Sequence, residues 1–99
     1  MICICGLWSQ MERVMLHLLK IRYLPGKHTP GWDLSIWNAQ KRIQVILEDS
    51  PSLRAGLEDH MRHAWRFARS GAIQQTGLAD DVFPVECPFT VEAVVGSLE

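Results

Sequence analysis

Four titratable residues on one short stretch, Glu58, Asp59, His60 and His63, are the densest chemistry in the chain. His60 and His63 are three apart, so on a helix both reach one side. Neutral imidazoles so placed can ligate zinc or nickel. Helical metal sites ordinarily add spaced ligands from a second helix, such as a glutamate in a paired motif, and none occurs here. Glu58 and Arg62, four apart in the favourable order, suggest a surface ion pair. A solvated helix face is therefore the favoured reading, with metal binding through His60 and His63 as an alternative.

Cys3, Cys5 and Cys87 make an odd count with no evident disulfide framework. A reducing cytoplasm fits that usage. Cys3 and Cys5 with His17 and Cys87 can be drawn as a thiolate zinc site. The spacing matches no standard zinc module, and Cys87 is more simply a small buried hydrophobe. His17 lies in an apolar run from Val14 to Leu19, which suits a satisfied core or interface histidine. No nucleophile elbow, phosphate-binding glycine loop or metalloprotease motif occurs. The expectation is a protein that is not an enzyme, with no catalytic residue, no cofactor and no small-molecule substrate.

Two further sets concern partners. Arg62, Arg66 and Arg69, spaced four and three, can join Lys41 and Arg42 to track a nucleic-acid backbone. A helix-turn-helix needs a short exposed recognition helix, which the pattern does not supply. Solvated or internally paired cations are favoured, and a small nucleic-acid-binding regulator remains an alternative. The chain also has four tryptophans. Trp32 and Trp65 fit core stripes. Trp37 departs from the Ile36–Ile43 face, and is either a candidate anchor for a protein partner or packed against a neighbouring helix or the C-terminal segment.

The elements that must carry these residues follow from periodicity. Residues 50–77 read as one long helix, with Ser50 as N-cap and Pro51 at its first position. Leu53, Leu57, Met61, Ala64, Trp65, Ala68 and Ala72 recur at helical spacing. Gly77 closes the helix, with Leu78 folding back on Ile73 in a Schellman motif. The rest of the chain serves to bury that stripe. An earlier helix starts at Leu7 or Ser9 and stops before Pro25. Met11, Val14, Met15, Leu18 and Leu19 share its apolar face. A second helix spans about 31–49, capped by Thr29, with Trp32, Ile36, Ala39, Ile43, Ile46 and Leu47 inward. Residues 79–88, with two prolines and three acids, form an extended segment that lies on the helices through Val82, Phe83, Val85 and Phe89. Thr90 caps a short last helix. The fold class is all-α: three main helices, an extended Pro-containing segment and a short fourth helix, in one domain over 1–99 with residues 1–6 loose.

At 99 residues, 47% hydrophobic and 21% charged, the chain is globular rather than disordered. The net charge of -1 gives no global field to recruit nucleic acid or anionic membrane. Residues 13–42 sum to +5 and residues 80–99 to -5, so the halves can face one another or offer a basic surface to an acidic partner. The N-terminus lacks a basic leader and a cleavage site, and no run approaches the ~20 apolar residues that span a bilayer. No membrane association is expected.

These residues together resemble a bacterial family catalogued as domain of unknown function, family 29. The carriers are His17-Leu18-Leu19-Lys20, Trp32 with Ile36, and Asp49-Ser50-Pro51-Ser52-Leu53. Ala64-Trp65, Ala68-Arg69, Ala72, Thr76-Gly77-Leu78, Phe83-Pro84 and Cys87-Pro88-Phe89-Thr90 complete the set. The resemblance covers about residues 9–95. It implies a small helical bundle, often cyanobacterial, and no established activity. The family pattern has Gln-Arg where this chain has Ala39-Gln40, and further helical sequence where this chain has MICICGLW. A shortened first helix would leave an apolar face open to solvent or a second subunit. The leading expectation is therefore a protein-interaction module or homodimer, with Met11, Met15, Leu18 and Trp37 as contacts.

Overall fold

The computed structural model describes residues 4–96. Four α-helices follow in order: α1 (Ile4–Tyr23), α2 (Pro30–Asp49), α3 (Leu57–Thr76) and α4 (Val91–Val95). Short 3-10 turns at Pro25–Lys27, Pro51–Gly56 and Asp80–Val82 connect them. Among the described residues there is no strand. The expected all-α bundle is what forms.

The organising helix is α1, not the longer stretch that follows it. It packs against both α2 and α3 and lies between them. That double duty requires a broad apolar arc. Leu7, Met11, Val14, Met15 and Leu19 are fully buried, and Leu16 and Leu18 pack at the margin. The open face expected at Met11 and Met15 is therefore corrected: both are at 0% exposure, covered by α2, α3 and the C-terminal segment. Leu18 is half-buried. The helix also begins at Ile4, earlier than the 7–9 start expected from sequence. Pro25 stops it by pushing Leu24 to φ -130°, ψ 57°.

The expected long helix over 50–77 divides at Gly56. Pro51–Gly56 is a 3-10 turn, and only Leu57–Thr76 is α-helical. Ser50 makes no side-chain cap and sits at φ -132°, ψ 74°, while the Leu53 amide donates to its carbonyl at 3.0 Å. That i to i+3 bond commits the turn to tighter winding. At the far end Gly77 takes the left-handed conformation, φ 71°, and donates to the Ile73 carbonyl. The Leu78 amide goes to the Thr76 hydroxyl at 3.3 Å, so the cap is the simpler left-handed motif and not the Schellman form.

Small residues on α3 set its approach to α1. Ala64, Ala68 and Ala72 are fully buried. Gly71 also faces α1; a Cβ there would meet the Leu16 methyls at 3.8 and 3.9 Å, ordinary contact. Gly71→Ala is expected to stabilise the protein by about 0.5–1 kcal/mol, because it removes backbone entropy without a clash. Urea denaturation checks this, and a loss of stability would contradict the spacing.

After Gly77 the chain crosses back over the α1–α3 seam as a strap, residues 78–90. Phe83 is its deep anchor at 2% exposure, edge-on to Tyr23 at 4.9 Å. Phe89 packs against the core. Val82 and Val85 were expected inward as well, but they are 40% and 82% exposed. Helix α4 ends the strap, with the Thr90 hydroxyl accepting from the Ala93 amide as expected. Its Val94 and Val95 enter the core. The amides of Gln40 and Gln44 on α2 donate to the Ala93 and Val95 carbonyls, both at 3.2 Å. These bonds satisfy acceptors that a helix end leaves unpaired.

Candidate functional site

The two histidines that suggested a metal are occupied by Trp8. The Trp8 indole N–H donates to His60 Nδ1 at 2.9 Å, and the Trp8 ring stacks on His63 with centroids 4.7 Å apart. The pair thus clamps the start of α1 to the start of α3. A metal at His60 Nδ1 would have to displace the indole N–H. Among the described residues no three His, Cys, Asp or Glu side chains are grouped to hold a metal ion. The other zinc set cannot be traced: Cys3 and the Cys5 side chain lie outside the described residues. His17 Nδ1 donates to the Arg13 carbonyl at 2.8 Å within its own helix.

Cys87 lines a cleft of about 770 Å³ between α3 and the strap. Its thiol lies 3.7 Å from both the Met15 sulfur and the Phe89 carbonyl. Burial raises its pKa, with the Phe89 carbonyl hydrogen bond opposing. A thiol held protonated in this way is a poor nucleophile. The cleft floor is Met61, Trp65 and Phe89, and its rim mixes Arg62 and Arg66 with Glu58, Glu86 and Glu92. Interleaved signs give no single field to select a charged ligand.

The five candidate cations are not one surface. Lys41 and Arg42 are on α2, the arginines on α3, and α1 stands between those helices. Arg69 is committed to the strap. Its Nε donates to the Pro84 carbonyl at 3.0 Å, and its Nη2 to the carbonyls of Asp80 and Phe83. Arg62 pairs with Asp59, in place of the expected Glu58. Arg66 is exposed. Among the described residues, no ion pair joins the basic 13–42 half to the acidic 80–96 segment. Trp32, expected in the core, is half-buried, with the Lys20 ammonium 4.8 Å from its ring centre and His28 beside it.

What remains is the outer face of α2. Leu34, Trp37 and Val45 are 58%, 54% and 56% exposed. With Lys41 they step three, four and four, which places all four on one side of the helix. The Lys41 ammonium lies 5.0 Å from the Trp37 ring centre. Trp37 therefore sits outward, as one of the two readings of its spacing had it. Leu34 and Val45 were not singled out from the sequence. The signal was present: they repeat opposite the Ile36–Ile43 stripe, giving α2 two apolar faces where one suffices for packing. Beside Val45 a groove of about 380 Å³ runs between α1 and α2, lined by Gly6, Gln10, Arg42 and Ile46 among others. Among the described residues, the Gln10 side-chain oxygen in that groove is buried without a hydrogen-bond partner.

The fold and this face define a small all-α bundle with an exposed apolar stripe on one helix. The chain belongs to the family described as Domain of unknown function DUF29, whose profile matches residues 6–97. Comparison with curated proteins and with solved structures gave no match. Among the described residues no helix is long and apolar enough to cross a membrane.

Proposed function

We propose that this protein is a non-enzymatic interaction module that meets a protein partner through the outer face of α2. The observation that supports it is the exposed stripe Leu34, Trp37 and Val45, three large apolar side chains on one helix. Leaving them in water forfeits about 1.5–3 kcal/mol of transfer free energy each, were they fully buried. A tryptophan in such a patch, with a cation over its ring, has the composition of an interface anchor. The reading places the protein in the cytoplasm, consistent with the free Cys87 thiol.

A photo-crosslinking residue at position 34 tests it in cells, with the same residue at exposed Ser70 on α3 as the control. Position 34 is expected to give a discrete crosslinked protein that position 70 does not. Identical product patterns from the two sites would end the proposal.

A further inference from the structure

We infer that the partner on this face is a second copy of the chain, with the two α2 helices antiparallel about a two-fold axis at Val45. The inference rests on the interaction reading above and adds to it the identity of the partner. Its basis is the order of charges along α2. Lys41 and Glu48 are seven apart, two turns, so they share one edge of the outer face. Arg42 and Asp49 are also seven apart and share the other edge. Each edge therefore carries a base and an acid about 10 Å apart along the axis. All four side chains are exposed. Among the described residues, Arg42, Glu48 and Asp49 have no ion-pair partner.

An isologous contact sets residue i against j and j against i. Antiparallel helices related by a two-fold axis also place like edges together. With the axis at Val45, Lys41 faces Glu48 of the partner subunit, and Glu48 faces Lys41 of the partner subunit. On the other edge Arg42 faces Asp49 of the partner subunit, and the reverse. Four complementary pairs result from one register. An axis at Lys41 would instead set two ammonium groups against each other at the centre, which disfavours that register. The middle of the patch is apolar in the chosen register: Val45 meets its symmetry mate beside the groove at Gln10. Trp37 then stands opposite the partner's turn at residues 51–53. Such a one-helix patch sits at the low end of the roughly 1,000 Å² that a stable interface needs, so the dimer is expected to be reversible and weakened by salt.

The test exchanges charges at exposed positions of the full chain. Sedimentation at low salt is expected to show a concentration-dependent dimer. Lys41→Glu alone creates two like-charge contacts, and so does Glu48→Lys alone. Each is expected to weaken self-association about tenfold or more. Mixing the two variants restores both contacts in a heterodimer, and the doubly exchanged chain restores them in a homodimer. Recovery in the mixture is the decisive result. A chain that stays monomeric at every concentration, or a dimer indifferent to both exchanges, would overturn the inference. If the position 34 crosslinker then captures a different protein, the interaction reading stands and only the second copy fails. If it captures none, both fail.

Discussion

Phe83→Ala is expected to destabilise the protein by about 3–5 kcal/mol, the range for deleting a buried aromatic ring. The ring is 2% exposed, lies edge-on to Tyr23, and is the only fully inserted side chain of residues 78–86. Little nearby can collapse into its place. Pro84 beside it is only half-buried, and Val82 and Val85 already face solvent. A domain of this size has only about 5–15 kcal/mol of total stability, so the loss is a large fraction of it. Urea unfolding followed by far-UV circular dichroism measures it. A change under about 1 kcal/mol would show that the strap is not integral to the bundle.

The second large effect concerns Arg69. Arg69→Met keeps the aliphatic stem and removes every donor. The carbonyls of Asp80, Phe83 and Pro84 then lose a charged partner. Hydrogen bonds to charged groups contribute about 1.5–3 kcal/mol each when well shielded. The guanidinium is partly exposed and water can replace some of what is lost, so about 1.5–3 kcal/mol in total is expected for the variant. Arg69→Lys should recover little, because one ammonium cannot span three carbonyls as a planar fork does. Full recovery by lysine would show that charge alone matters there. Because Phe83 and Arg69 hold the same segment, the double variant should fall short of the sum of the singles.

These two residues also mark how far the sequence could be read. The helices were legible because their apolar spacing is local: α2 begins at Pro30 and ends at Asp49, within a residue of expectation. Phe83 could be picked as an inward residue of the extended segment, yet Val85 could not be told from it, since that segment has no period to decide which side faces in. Arg69 appeared as one cation in a stripe. Its role depends on carbonyls 11 to 15 residues later that no pattern announces. The same holds for Trp8 with His60, which are 52 residues apart.

The burial of Met11 and Met15 is illegible in the sequence for a related reason. Periodicity shows that a helix has an apolar side but not what covers it. The helix at the centre was betrayed only by the width of its arc. Leu7 through Leu19 bury large side chains toward two neighbours, whereas α3 buries three alanines beside Leu57, Met61 and Trp65. The outward stripe on α2 is legible too, since Leu34 and Val45 fall at helical spacing with Trp37.

Synthesis proceeds from the N-terminus, so the order of elements has a consequence for the newborn chain. Helices α1 and α2 can dock as soon as the second is made, because they are neighbours in sequence. The opposite flank of α1 must wait for α3, and the seam is not closed until Phe83, Val94 and Val95 arrive. Through that interval Met11 and Met15 present a greasy surface to solvent. Holdase chaperones recognise such surfaces, and self-association at that stage would trap the wrong face. The strap is in this sense a lid closed last, which makes the final fifth of the described chain the step that commits each molecule to its native form.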